Sequence, residues 1–562
     1  MLIDAEALHN NAIVRADVAV VGAGPAGIVL ALELAQAGYE VALIESGRLG
    51  FSKPIQTLSE VSAFDPQCHA PMAECTRRQV GGASTIWGGR CVPYDPVDFD
   101  QRDYIPDSAW PVTYEELTPY FQRACDYFLC GQAEFNLHQI PSIAQKSIVP
   151  GLPDGHVLTS TLERWSLPTN FGQEYGPALK RSRRIKLLYG LTCTEIETHE
   201  QGTQVQALVG KTLNGKTVRV QGQQYVLAGG ALNTTRLLLA SDRRHPGGIG
   251  NHSGLLGRFY MGHLSGEIAT VQFTTTPQKT VFKFDRDPDG VYLRRRFSFS
   301  REFLHDQKLA NIVAWLGVPQ FADPSHRNGI LSLAHLALNS PVLGRYLRTK
   351  VPRELGFHDT KTSPWTHGTN ILKDLGNTLT FVPGFAYQRF LARRKIPALF
   401  VYSGANEYPL HYHSEQQPNP NSRVSLSDER DILGLRKLVI DLRCTPQDID
   451  TVVRAHRYWD DHLRRYGCGQ LKFLTDDLEA RVLAQFRDGF HQVGTTRMAA
   501  RPGEGVVDGD CRVHGMDNLF VASSSIFVTS GQANSTFMII VLALRLSIHL
   551  DKKTTKITKP CP

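Results

Sequence analysis

No CxxC pair and no regular cysteine framework occur in the sequence: its ten cysteines, at 68, 75, 91, 125, 130, 193, 444, 468, 511 and 561, are scattered. That excludes a zinc ribbon and a disulfide-built scaffold and leads to the expectation of a reducing compartment. Long apolar runs are missing as well. The longest, residues 538–544, ends at Arg545, far short of the roughly 18 residues a membrane span needs. The first residues carry acids and no basic stretch leading into an apolar core, so no secretory leader is read and the expected location is cytoplasmic. Charge of one sign is also scarce: 61 Lys and Arg face 54 Asp and Glu, a net +7 over 562 residues. Basic clusters at 181–184, 294–296 and 393–395 lie far apart without interleaved aromatic residues, so they read as solvated faces and no nucleic-acid partner is expected. There is no internal repeat and no low-complexity linker. The length is too great for one ordinary core, which implies two domains or one elaborated α/β unit.

What is present begins with a short β-branched run, residues 16–21, as expected of a strand buried on both faces of a parallel sheet. It runs straight into Gly22-Ala23-Gly24-Pro25-Ala26-Gly27, and residues 25–37 continue with apolar residues at helical spacing until Gly38. Gly22 permits the tight turn, Gly24 lets backbone amides approach a pyrophosphate at the helix N-terminus, and Gly27 lets helix and strand pack closely. A second strand, 39–44, ends at Glu45, where a carboxylate can accept from ribose hydroxyls and would repel a 2′-phosphate. The order of strand, turn, helix, strand and acid predicts a dinucleotide site and leaves FAD and NAD both open.

The other end of the chain carries a second constellation. Residues 486–498 read Phe-Arg-Asp-Gly-Phe-His491-Gln-Val-Gly-Thr-Thr-Arg-Met, residues 519–522 form a strand candidate, and the polar turn Thr529-Ser530-Gly531-Gln532-Ala533-Asn534-Ser535-Thr536 opens an apolar helix at 537–550. The two ends together resemble the glucose-methanol-choline (GMC) oxidoreductases, a family of FAD enzymes. Within that family the similarity is greatest to bacterial sugar and polyol members and to pyranose oxidase, through the Trp87 loop, Trp110-Pro111 and a His/Asn pair.

The resemblance implies an α/β architecture: a Rossmann-like FAD-binding domain of the p-hydroxybenzoate-hydroxylase kind with an inserted α+β substrate domain. It makes His491 and Asn534 the catalytic pair. FAD contacts would come from Gly22, Gly24, Pro25, Ala26 and Gly27, from Glu45 and Ser46, and from Arg78. The loop holding Gly82, Ser84, Trp87, Gly88 and Gly89 would touch the flavin, and Thr194 would lie near the adenine. Ala228, Gly229 and Asn233 supply a second turn, and Ser524, Ala533, Ser535 and Thr536 the last contacts. No metal is implied. Ile86 stands where pyranose oxidases carry the histidine that binds FAD covalently, so the flavin is expected to be held without a covalent bond. Ala499, Ser523-Ser524 and Ser535 are further departures, at positions where members of the family often carry Gly, Gly or Asp, and Pro.

Chemically, removing a hydroxyl proton suits a neutral histidine, whose ordinary pKa is about 6.5. Asn534 is no base, yet its amide both donates and accepts and can orient a hydroxyl. The expected substrate is a small alcohol, preferably a sugar, glycoside or polyol, with dioxygen or another acceptor taking the electrons; lipid, sterol or aryl alcohols and a flavin-dependent lyase are the alternatives. His411 and His413 fall on one face of a strand and show no third ligand at metal spacing, so they read as substrate-side or surface residues, and His263 as a flavin neighbour. The FAD domain is expected from 1–110, 190–265 and 485–562, and the substrate domain from 111–189 and 266–484. Strands flank a turn at 430–436, and 447–466 reads as an amphipathic helix. Helical patterns at 328–350 and 367–394 read as packed lid helices, with a membrane-surface role as the alternative. Oligomeric state leaves no mark.

Overall fold

The computed structural model describes residues 1–143, 147–344 and 363–558; Cys561 and the end of the predicted helical pattern at 328–350 lie outside these. Its central layer is a six-stranded sheet in the order Leu2–Asp4, Ile185–Tyr189, Val41–Glu45, Val18–Val21, Gln224–Leu227 and Leu519–Val521, with every neighbouring pair parallel. Parallel strands buried on both faces need continuous apolar runs. Val18, Ala19, Val20, Val41, Ala42 and Leu43 meet that need, each at most 1% exposed. Each such Val or Leu contributes roughly 1.5–3 kcal/mol relative to an exposed one.

The glycine turn lies between Val18–Val21 and the first helix, Pro25–Gln36, which starts and stops within a residue of the reading from sequence. The terminal helix is longer than predicted, Thr536–Thr558, and packs against the first helix. The Tyr39 hydroxyl donates to Asp551 Oδ1 at 2.9 Å near its far end. The apolar pattern stops at Leu550, whereas the helical backbone continues through a polar stretch.

Beside this layer lies a four-stranded antiparallel sheet, Ile312–Leu316, Glu407–Glu415, His263–Phe273 and Gly469–Phe473, covered by the helix Pro446–Arg465. The hairpin Arg423–Arg430 with Arg436–Asp441 turns where 430–436 was read as a turn. The α/β class, with a Rossmann-like parallel sheet and an antiparallel substrate side, is thus as the sequence indicated. One assignment shifts: Ile185–Tyr189 falls in the range given to the substrate domain, but it hydrogen-bonds between Leu2–Asp4 and Val41–Glu45 in the parallel sheet. Its apolar residues Ile185, Leu187 and Leu188 fill that core, a placement that a five-residue strand far from the glycine turn does not announce.

A buried ion pair ties the loop at 100–108 to the antiparallel sheet. Arg102 donates through both terminal nitrogens to Glu415, at 2.7 and 2.6 Å, with both side chains fully enclosed. The Asn311 backbone amide adds a third bond to the same carboxylate at 2.9 Å. Removing one member of such a pair strands a charge in low dielectric, which costs about 3–5 kcal/mol. Arg102→Met is therefore expected to lower the denaturation temperature of the folded chain clearly, measured by circular dichroism against the parent.

Candidate active site

Two glycine turns meet at the C-terminal edge of the parallel strands. Gly22 has φ +99°, and a Cβ there would come within 2.5 Å of the Ala228 carbonyl oxygen; one on Gly27 would fall 1.8 Å from the Gly22 carbonyl oxygen. Only glycine permits these approaches. Gly82 sits over the same turn, a Cβ on it lying 3.0 Å from Gly24 Cα, whereas Gly24 itself faces open space. The first helix thus begins at a residue with no capping side chain, and its free N–H groups border that space: the setting that favours a pyrophosphate. Gly230, with φ +80° and nothing within 4 Å of its Cβ position, begins the helix Ala231–Ala240 in the same manner. Thr234 Oγ1 is buried nearby with no hydrogen-bond partner among the described residues. These features fit a bound dinucleotide.

The polar residues around the turns form a linked chain. Arg78 donates to Ser46 Oγ at 2.9 Å and to Asn233 Oδ1 at 2.7 Å, joining three residues named from the sequence. Burial lowers its pKa to about 10, with repulsion from Arg236 adding to the effect, so it stays charged at neutral pH. Glu45 is 6% exposed, and its oxygens already accept from the amides of Ala23 at 2.8 Å and Gly47 at 2.7 Å. The carboxylate therefore braces the turn, and a ribose would share its remaining lone pairs. Other predicted contacts serve the scaffold: Ser84 donates to the Gly81 carbonyl at 2.6 Å, and Trp87 donates to the Thr169 carbonyl at 2.9 Å while its ring packs on Phe128. Thr194 lines a surface cleft of about 640 Å³ together with Lys211 and Arg243.

The distant pair named from the sequence comes together. Segment 488–498 is fastened on one side to Met261, which exchanges two 3.1 Å backbone bonds with Val493, and on the other to Ser525 and Ile526, each by a 2.8 Å bond. Ser524 Oγ donates to the Gln492 carbonyl at 2.5 Å. The 529–535 turn is held by Asp95, which accepts from Gln532 Nε2 at 2.9 Å, and by the Asp98 carbonyl, which accepts from Thr529 at 3.0 Å. Gly531 makes that turn at φ +58°, where a Cβ would stand 2.9 Å from Asp98 Oδ2. Ala533 and Ser535 are buried around Asn534.

Asn534 Nδ2 lies 2.8 Å from His491 Nε2, and Asn534 Oδ1 accepts from Arg90 Nη1 at 2.7 Å. A guanidinium can only donate, so the atom facing Arg90 is the amide oxygen and the one facing His491 is the N–H donor. His491 Nε2 therefore presents a lone pair, and its ring proton sits on Nδ1, 3.5 Å from Asp488 Oδ2. Asp488 is 4% exposed and also accepts from the backbone N–H groups of His263 at 2.7 Å and Phe490 at 2.8 Å. Burial alone would raise its carboxyl; the facing histidines outweigh this and hold it well below the usual carboxylate range.

His263 and His413 complete the surroundings. Their rings stack 4.2 Å apart, and the His491 ring stands edge-on to them at 4.8 and 5.5 Å. Burial lowers the pKa of each, that of His413 strongly, so both are neutral. His413 is thus part of the site interior and not a surface residue. A third histidine does stand near it, His491, from a segment too distant in sequence for any ligand spacing to show. The three nitrogens spread over as much as 4.8 Å. Tetrahedral zinc with bonds of about 2.0–2.1 Å needs them at about 3.4 Å, and His413 Nδ1 already donates to the Gln532 carbonyl at 2.5 Å. The trio therefore packs as neutral rings.

Beyond Asn534 lies a charged wall. Arg90 also bonds to Glu163, which accepts two bonds from Arg294, at 2.9 and 2.6 Å. Glu163 is fully buried; desolvation would raise its pKa, yet Arg294 and Arg90 bring it down to about 2. The Arg294 guanidinium lies 4.2 Å from the Trp315 ring centroid and that of Arg90 5.1 Å. Asp488, Arg90 and Glu163 carry no role in the sequence reading, and the cluster 294–296, read there as a solvated face, lies inside: Arg295 and Arg296 are 4% and 2% exposed, and Arg294 is spent on Glu163. Asp488 alone had a local signal, an acid three residues before His491.

A dinucleotide-type glycine turn from one end of the chain, with a histidine–asparagine pair from the other, is what fold and site bring together. Residues 418–543 match the family model described as GMC oxidoreductase, and residues 16–108 match that of pyridine nucleotide-disulphide oxidoreductase. A 6′′′-hydroxyparomomycin C oxidase of Streptomyces lividus is 24% identical, covering 94% of this chain and 90% of that protein. A 2-methyl-1,2-propanediol dehydrogenase of Mycolicibacterium austroafricanum is 22% identical over 97% and 96%. Among solved structures, pyridoxine 4-oxidase from Mesorbium loti superposes with a TM-score of 0.52 at 17% identity, covering 95% of this chain and 98% of that one, which bears on fold alone. The chain thus carries a C-terminal region of the GMC oxidoreductase kind and is an enzyme of the alcohol oxidase or dehydrogenase type, for which FAD is the expected cofactor.

Loss of the base is expected to be severe: His491→Ala should slow flavin reduction by at least roughly a hundredfold, with flavin content unchanged, in anaerobic stopped-flow. Asp488→Asn, which removes the charge facing the Nδ1 proton, should slow the same step by at least about tenfold without releasing the flavin. An unchanged rate in either variant would contradict the roles read from the geometry.

Proposed function

We propose that this enzyme oxidises a hydroxyl of a polyhydroxylated substrate, a sugar, glycoside or polyol, with His491 as base and Asn534 as the group that orients the oxygen. An alcohol oxygen that displaces the direct 2.8 Å bond between them would accept from the Asn534 amide and donate its proton to His491 Nε2. Asp488 then faces the imidazolium at Nδ1 and stabilises it. FAD, when bound, supplies the acceptor for the carbon-bound hydrogen and its electron pair. It is held by the glycine turns without a covalent bond, since Ile86 offers no nucleophile. Electrons leave to dioxygen or another acceptor, and the protein works in the cytoplasm.

The observation that carries the substrate class is the wall next to Asn534. Arg90, whose Nε–H has no partner among the described residues, stands with Arg294 beside the apolar face of Trp315, a charged and aromatic lining that suits a ring or chain bearing several hydroxyls. The relatives named for hydroxyparomomycin and for a propanediol agree with this reading, as does the similarity to sugar and polyol members of the family. The test is anaerobic bleaching of the flavin band by a panel of sugars, glycosides, polyols, lipid alcohols and aryl alcohols. Polyhydroxylated compounds should bleach it fastest, and Arg294→Ala, which removes one of the two cations held by Glu163 in this wall, should raise their KM by at least about tenfold. Faster bleaching by lipid or aryl alcohols would overturn the substrate class; a flavin that no alcohol bleaches would overturn the oxidation itself.

A further inference from the structure

The segment after residue 362 forms two short helices, Pro364–Lys373 and Leu375–Ala386, continued by one wide turn, Tyr387–Leu391. From Leu375 to Gln388 it contains no charged residue. One face is used: Phe381 packs with Leu399 onto a small satellite core of Val318, Phe321, Ile330, Leu331 and Val401. Among the described residues, the opposite face is not. Leu375, Leu379, Pro383, Tyr387 and Leu391, spaced by four, make one exposed ridge, with Leu379 64% and Leu391 76% exposed. Trp365 at 85% and Leu372 at 72% extend it at the N-terminal end. A helix apolar on both sides belongs in a core or against an apolar partner.

Charge identifies the partner. Residues 363–395 hold five Lys and Arg against one acid, Asp374, and Asp374 Oδ2 already accepts from the Gly329 amide at 3.0 Å. Lys373 and Arg393 stand exposed at either end of the ridge. A second copy would bring like charge against like charge, whereas an anionic bilayer supplies the complement and an apolar layer beneath it. Trp365 and Tyr387 are residue types that settle at the level of lipid headgroups. Among the described residues no helix is long and apolar enough to cross a membrane, so the ridge would lie in the interface plane. We propose that this face, formed by the helices 364–373 and 375–386 and the turn to 391, docks the enzyme on an anionic lipid surface.

The surface is separate from the histidine site, so the proposal stands or falls independently of the substrate. FAD-loaded enzyme is sedimented with vesicles of phosphatidylcholine alone and of phosphatidylcholine mixed with phosphatidylserine. Binding should be at least about tenfold tighter to the mixed vesicles and weaken as salt is added. Leu379→Glu with Leu391→Glu, and separately Lys373→Glu with Arg393→Glu, should each weaken it by at least about tenfold, with flavin content and turnover of a soluble alcohol unchanged. Absence of binding to mixed vesicles, equal binding to both kinds, or full binding by the Leu379→Glu, Leu391→Glu variant would overturn the proposal. A concentration-dependent dimer in sedimentation velocity that this variant dissolves would assign the face to a second copy and overturn it equally.

Discussion

The site depends on the last strand of the parallel sheet. Leu519–Val521 hydrogen-bonds alongside Tyr225–Leu227, and that pairing delivers residues 524–536 to the sheet edge where the glycine turns stand. Were the strand absent, His491 and Asn534 would belong to a loose tail several hundred residues from the dinucleotide turn. The terminal helix secures the pairing: it is buried along Met538–Leu546 against the core and reaches the first helix. Cofactor turn and chemistry are therefore parts of one cooperative unit, since the apolar surface that stabilises the sheet is the surface that closes the site.

Within that frame, electrostatics set the protonation pattern. Arg90 cannot accept a hydrogen bond, so it orients the Asn534 amide; the amide's N–H then makes Nε2 the acceptor nitrogen of the imidazole, and the protonated Nδ1 faces Asp488. Each link is charge-assisted or buried, and such bonds lose most when a partner is missing. Neutral His263 and His413 pack against His491 without competing for its proton. Glu163 keeps the two arginines close together although they repel, at the cost of desolvating a carboxylate that is ionised above pH of about 2.

The parts legible in the sequence were those whose signal is local. The glycine turn could be read because strand, turn and helix adjoin and each glycine answers a specific close contact. His491 and Asn534 were found through a resemblance of motifs, not through any spacing that betrays a shared site. The features that went unread depend on distance along the chain: Arg90 meets Glu163 and Asn534, Arg102 meets Glu415, and His413 meets His491 only after folding. Ionised side chains carry no mark of burial in a sequence, so Glu163 on its strand went unread and Arg294 was read as part of a solvated face. Ile185–Tyr189 was placed in the wrong layer for a related reason, because a short apolar strand is equally at home in either sheet. Ser84 and Trp87, named as flavin contacts, have side chains spent on holding the loop.

The fixed orientation of the Asn534 amide also has a stereochemical consequence. An oxygen gripped by one donor and one acceptor has lost its freedom to spin, and the carbon attached to it can swing only about the remaining bond. With Arg90, Arg294 and Trp315 forming a wall on one side, the two hydrogens of a primary carbinol cease to be equivalent. A chain that locks a single amide rotamer with a guanidinium thereby acquires handedness at an achiral centre.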